Sequence, residues 1–426
     1  MIKNRLTIIS VSFAACIFAI LAAIFMFVAV IDTYDGGVRS DANSIVKMPF
    51  GARSDEQDDE QDDSENIPDS IDDLLDKLDL SSIQSIVDML TSDQIAVFGF
   101  GDIAERIRAV ASGEYENDFG SIVSYIFALF GSDIFEFLPL LTALLAIVIA
   151  YNIINSVKGK FASQSVENVI FFATGTLAVS ITVGYFSSVL MSAVKLIASL
   201  KTQINAVSPV LITLMTASGA TSSAGVYTPA IAVLGGGMTN LTTYIAFPML
   251  LMGLVFDIVG SISVSVKLEK TSEFFRSACK WFLGTAFFLF VTVIGVSGIT
   301  ASVRDGITVR AARFAVSKYI PVIGGYLSQG FDFIMAGNVL IKNGLGASAV
   351  ILVVLSVAPT VSRLVVFTLT LKLTAAVCEP LGGDRFGNIL TSISKSSSML
   401  ATVVIAVSVL YVMFLSMIVC SGNIGL

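Results

Sequence analysis

The 426-residue chain is 55% apolar and 14% charged, with a mean hydropathy of +0.85. A soluble domain carries about a quarter charged residues, so this composition points to a polytopic membrane protein. There is no histidine, which removes the commonest general base and the commonest metal ligand.

The net charge of −8 hides a division: residues 32–133 hold 24 Asp and Glu against six Lys and Arg, and the remainder nine acids against 19 bases. An acidic soluble part is therefore joined to a mildly basic membrane part.

Lys3 and Arg5 precede 26 uncharged residues, 6–31. The segment 1–31 reads as an uncleaved anchor or as a cleaved signal. In either case the basic end is expected to remain in the cytoplasm, with residue 32 onward outside. Residues 32–67 form an acidic spacer, expected to be disordered. Its centre, SDEQDDEQDDSEN at 54–66, has no apolar residue and strong like-charge repulsion. Order is expected again from Pro68, in a small helical extracytoplasmic segment, 68–133. Ile71, Leu74, Leu75 and Leu78 follow helical spacing, and Ile83, Ile86, Val87 and Leu90 repeat it. Ser81 or Ser82 is a plausible cap between the two helices. A weaker helix covers about 102–111, with Gly113 after it.

Residues 134–426 form the membrane domain. Six apolar runs are long enough to span a hydrocarbon core of about 30 Å: 137–154, 168–194, 241–266, 281–300, 345–371 and 396–420. The basic loops at 155–167 and 267–280 are expected inside. Arg304, Arg310, Arg313 and Lys318 then fall on the outer side, against that bias. An odd number of further crossings within 302–344 would move them.

Two units of this domain resemble each other, at about 168–266 and 281–371. In each, a basic amphipathic stretch follows a span and runs into Pro-Val, at Pro209 and Pro321. Each then continues into an apolar segment interrupted by small residues: LITLMTASGATSSAGVYTPAIAVLGGG at 211–237 and IGGYLSQGFDFIMAGNVLIKNGLG at 323–346. Halves of about 10–14 residues are too short to span, so the pattern predicts re-entrant hairpins. They would start at Pro209 and Pro321, with Gly324 and Gly325 allowing a close turn. Such broken backbone either lines a wet path or packs tightly within protein. The fold class expected is all-α, a polytopic transmembrane bundle with re-entrant or broken helices and a small acidic helical ectodomain.

Asp257, Asp332 and Arg363 are charges in apolar surroundings. They read as pathway groups or as structural pairs such as Asp257 with Arg363. Nothing resembles a catalytic motif: no GxxxxGK[ST], GxSxG or HExxH is present. Cys16, Cys279, Cys378 and Cys420 are scattered and form no CxxC pair. No catalytic, metal or cofactor site is expected, and the chain is not expected to be an enzyme.

Several long strings are similar to the stage III sporulation protein AE family. They are SVRDGITVRAARFAVSKYIPVIGGYLSQGFDFIMAGNVLIKNGLGASAVI at 302–351, TLKLTAAVCEPLGG at 370–383 and TASGATSSAGVYTPAIAVL at 216–234. LLDKLDLSSI at 74–83 fits its short leucine-rich helices. The resemblance implies a multi-pass protein of the mother-cell (outer forespore) membrane in endospore-forming bacteria. Its partners would be other stage III A membrane proteins and a forespore-side channel partner, in a hetero-oligomer that forms a conduit and supports late forespore development. The lipid bilayer is implied as its medium, and nucleic acid is not a partner. A stand-alone permease and a purely structural membrane scaffold are the other readings. The acidic spacer 54–66 and the lack of a clear cleavage site depart from the family pattern.

Overall fold

A computed structural model describes residues 74–75, 77–112, 119–157, 164–262, 268–319, 324–381 and 383–421. The expected anchor or signal 1–31 and the acidic spacer 32–67 lie outside the described residues, as does Pro321. Residues 65–425 form one compact unit.

Among the described residues a module of three short helices comes first: α1 (Ser81–Val87), α2 (Ser92–Phe98) and α3 (Ile103–Ala111). Their boundaries follow from local hydrogen bonding. The Asp79 carboxylate accepts from the Ser81 N–H at 3.1 Å, so an aspartate, not Ser81 or Ser82, tethers the start of α1. Thr91 and Gln94 form a capping box on α2, which ends at Gly99 with φ +86°. Asp102 caps α3, accepting from Ala104 N at 2.7 Å and Glu105 N at 3.2 Å. Ile83, Val87, Phe98, Ile103 and Ile107 are buried. Of the leucines before α1, Leu75 is buried, whereas Leu74 and Leu78 are only half-buried. The Arg106 guanidinium lies 4.1 Å from the centre of the Phe98 ring.

Six long helices follow: α4 (Phe119–Val157), α5 (Gln164–Ala217), α6 (Thr221–Ile262), α7 (Glu269–Tyr319), α8 (Gly324–Cys378) and α9 (Asp384–Cys420). Each is long and apolar enough to cross a membrane, and each expected span overlaps a different one. The protein is an all-α polytopic bundle. At 54 and 55 residues, α5 and α8 measure about 80 Å along their axes, more than twice the hydrocarbon thickness.

The helical pairs α5–α6 and α7–α8 correspond to the two similar units, but the first turns elsewhere than expected. No re-entrant hairpin starts at Pro209, which lies inside α5. Its ring is on the exposed face, while Ile204, Val207, Leu211, Leu214 and Met215 continue the buried face through it. Burial of that face outweighs the one hydrogen bond that a proline removes. The chain reverses ten residues later, at Gly219, where φ is +83°. In the second unit α7 runs to Tyr319 and α8 begins at Gly324. No further crossing therefore separates α7 from α8, and Arg304, Arg310 and Arg313 lie on α7 itself. Lys318 occupies its last turn, where a cation complements the helix dipole.

The Gly-rich part of α6 is irregular in another way. Val233–Met238 and Thr242–Ala246 are π-helical. Within the first of these, a Cβ on Gly235 would lie 2.9 Å from Asn205 Oδ1 and 3.2 Å from the Ile204 side chain of α5, so glycine eases the close approach of the helices.

The centre of the bundle is the seam between α8 and α9. Both helices bury most of their apolar residues, including Leu345, Leu352, Leu364, Phe367, Val403, Val407, Leu410 and Phe414. A Cβ on Gly346 would overlap the side chain of Val419, and a β-branched valine on a helix has little rotamer freedom with which to yield. Gly346→Ala should therefore destabilise the detergent-solubilised protein by about 1–3 kcal/mol, read as a lower melting temperature. Adding Val419→Ala should restore most of the loss. Unchanged melting in the single variant would contradict the packing described.

Candidate functional site

The interior of the bundle carries three polar layers, and α9 contributes to each. In the first, Asp257 of α6 is buried against Arg276 and Ser272 of α7, and both donate to its carboxylate. Ser396 of α9 reaches the same carboxylate at 3.4 Å. Beside it, the hydroxyls of Ser397 (α9) and Thr368 (α8) are 2.7 Å apart. A buried charge in apolar surroundings is tolerated when it is paired and its remaining lone pairs are occupied, and this carboxylate meets both conditions.

The second layer repairs the π-helical part of α6. Tyr411 of α9 donates through its hydroxyl to the Leu234 carbonyl at 3.2 Å and lies 2.9 Å from the Thr239 hydroxyl. A π-turn displaces backbone groups from their usual partners, and a buried tyrosine hydroxyl needs a partner of its own.

The third layer places two opposite charges at two helix ends. The Asp305 carboxylate of α7 is buried and accepts from the Ser222 and Ser223 N–H groups, each at 2.8 Å. These belong to the first turn of α6, so the anion faces the positive end of that helix. Lys342 of α8 is fully buried and donates to the Ser421 carbonyl, just past the C-terminus of α9, at 2.6 Å. There the cation faces a negative end. Hydroxyls join the two: Ser223 to Ser302 at 3.4 Å and Ser302 to Ser421 at 2.8 Å.

A fourth polar group lies to one side. Arg363 of α8 pairs with Glu136 of α4 and donates to Ser188 of α5 at 3.3 Å. One residue earlier, Ser362 donates to Asp133 at 2.5 Å. Arg363 and Glu136 line an open groove of about 500 Å³ with Tyr185 and Gly184.

The residues singled out from the sequence are thus dispersed. Asp257 belongs to the first layer and Arg363 to the lateral groove. The pairing of Asp257 with Arg363 is not formed, because Arg276 takes the carboxylate and Glu136 the guanidinium. Gly324, Gly325 and Asp332 lie in the N-terminal part of α8, and Pro209 lies within α5. Sequence reasoning missed Arg276, Asp305, Lys342 and Tyr411. Lys342, one charge within an apolar run, was the most legible of them; the others are recognisable only from contacts between helices. Among the described residues no group of three or more His, Cys, Asp or Glu side chains could hold a metal. What the layers can do chemically is hold opposite charges and hydroxyl dipoles in fixed positions inside an apolar bundle.

A family model described as "Stage III sporulation protein AE" matches residues 101–422. A Bacillus subtilis (strain 168) protein named "Stage III sporulation protein AE" is 25% identical over 323 residues, covering 76% of this chain and 80% of that protein. No solved structure matches the chain.

Removing one partner of a buried ion pair leaves the other uncompensated. Arg276→Met should therefore cost about 3–5 kcal/mol, whereas Asp257→Leu with Arg276→Met should recover most of it. Thermal unfolding in detergent or nanodiscs would show this as non-additivity. A stable single variant would contradict the buried pair described.

Proposed function

The chain belongs to the stage III sporulation protein AE family, and on that premise we propose that it is a multi-pass component of a conduit between mother cell and forespore. Its role lies in sporulation. In this reading it resides in the mother-cell membrane around the engulfed forespore and assembles with other stage III A membrane proteins and a forespore-side channel partner. It supports late forespore development and performs no catalysis.

The observation that carries this reading is the family match over residues 101–422, which extends across all six long helices. The structure supports it in two ways. The helices exceed the bilayer thickness, which gives surface for partners beyond the membrane. The buried charges are engaged by the chain's own residues, as suits a rigid member of a larger assembly. In the orientation proposed here Lys3 and Arg5 are cytoplasmic and residues 32–133 are outside, because Lys158 and Lys160 follow the next span.

A stand-alone permease is the second reading. The three polar layers stacked along α9 favour it, since ionisable groups within membrane helices often mark transport paths.

Deleting the gene from its spore-forming host should leave engulfment intact and abolish late forespore-specific reporter expression. Wild-type protein should restore expression. Lys342→Met should restore it at least tenfold less well at equal protein level, because Ser421 then loses its charged donor. Normal late expression in the deletion strain would contradict the proposal. Flux of a solute through liposomes containing only this chain would favour the permease.

A further inference from the structure

Pro359 lies inside α8. In an α-helix the carbonyl of Leu355 is served by the N–H of residue 359, and proline has none. Helix-interior prolines also stand at positions 139, 209, 229 and 248. The carbonyls four residues before them belong to Phe135, Asn205, Gly225 and Tyr244, all exposed residues. Leu355 is 1% exposed, so its carbonyl requires a partner from within the protein.

That partner comes from the N-terminal module. The Gln94 amide donates through Nε2 to the Leu355 carbonyl at 2.9 Å, across 261 residues of sequence, and the contact is buried. The other end of the same amide is already held: Gln94 Oε1 accepts from the Thr91 N–H at 3.0 Å as part of the capping box of α2. The capping box thus aims the donor. The rest of the module is fitted to the same helix. A Cβ on Gly344 would lie 3.0 Å from the Ile107 carbonyl oxygen of α3, and one on Gly337 would lie 3.2 Å from Leu74. Two notches on α8 therefore let the module sit close enough for Gln94 to reach.

We propose that Gln94 supplies the hydrogen bond that Pro359 removes from α8, so that seating of the N-terminal module sets the local bend of the central helix. Above the proline, α8 is held by Gln94 and by Gln203 of α5, whose Nε2 donates to Ser356 at 2.6 Å. Below it, α8 is held to α4 through Ser362 and Arg363, and one turn further on Thr368 meets Ser397 of α9. When the module lifts away, the Leu355 carbonyl loses its donor in an apolar setting. The helix then rearranges about residues 355–359 to find another, and its two arms move relative to each other. A ligand or partner that holds or displaces the module thereby acts on the α8–α9 seam without touching it. This inference does not depend on the sporulation role proposed above.

The test uses the full chain in nanodiscs. Spin labels attached through noncanonical amino acids at Ile334 and Leu373, both exposed and on opposite arms of α8, report the distance across the bend. Gln94→Leu should shift that distance in the wild-type background. In Pro359→Ala, whose residue 359 again has an N–H for the Leu355 carbonyl, Gln94→Leu should shift it little or not at all. Gln94→Glu keeps the side-chain shape and the acceptor for Thr91 but removes the donor, so it should reproduce the shift alone. This makes it decisive even where the proline variant fails to accumulate. An unchanged distance in both Gln94 variants, or equal shifts with and without Pro359, would overturn the proposal.

Discussion

Groups that can hydrogen-bond or carry charge have no solvent to turn to inside an apolar bundle, and this constraint organises the molecule. Its clearest expression is the junction of α7, α8 and α9 with the start of α6. There Asp305 faces the positive end of one helix and Lys342 the negative end of another, with Ser223, Ser302 and Ser421 between them. Each answers the backbone groups that a helix terminus leaves without intrahelical partners. The same requirement explains why Arg276 and two serines surround Asp257, and why Tyr411 is directed at the π-helical part of α6.

Satisfaction at a distance has structural consequences. These contacts join different helices, and those from Ser396 and Tyr411 reach across more than a hundred residues of sequence, so the bundle is cross-linked at several heights along α9. Close approach is then needed as well, and glycine supplies it: Gly346 under Val419, Gly235 under Asn205, Gly298 under the Tyr227 hydroxyl. The result is a bundle in which small residues set spacing and polar residues set register. The N-terminal module follows the same logic, since Gly337 and Gly344 admit it and Gln94 ties it to α8.

Much of this architecture could be read from the sequence, and the exceptions have physical causes. Apolar runs of spanning length identified all six long helices, because the hydrocarbon thickness makes length itself informative. The two stretches that share the Pro-Val pattern each fall on a pair of long helices. Pro209 misled because its local cost was weighed without the buried face that carries α5 past it; the turn belongs to Gly219, whose positive φ favours glycine. Asp257 could be identified as unusual, since a carboxylate within an apolar span stands out. Its partner could not, because Arg276 sits next to Lys280 and near Lys270 in what reads as an ordinary basic loop. Asp305 was hidden for a similar reason, lying in a stretch whose other charges dominate the pattern. Gln94 is a polar residue at the N3 position of a seven-residue helix, and only the orphaned carbonyl at Leu355 reveals what it does.

The proposed role follows from the way the chain's own residues engage Asp257, Asp305 and Lys342: a fixed part of a larger sporulation assembly, not an autonomous transporter. Affinity purification of the tagged full-length protein from cross-linked cells, midway through sporulation, tests it most directly when followed by mass spectrometry. Other stage III A membrane proteins and a forespore-side partner should co-purify, and they should be absent from a parallel purification of an unrelated membrane protein. Recovery of the chain alone, at the same stage and under the same cross-linking, would contradict it.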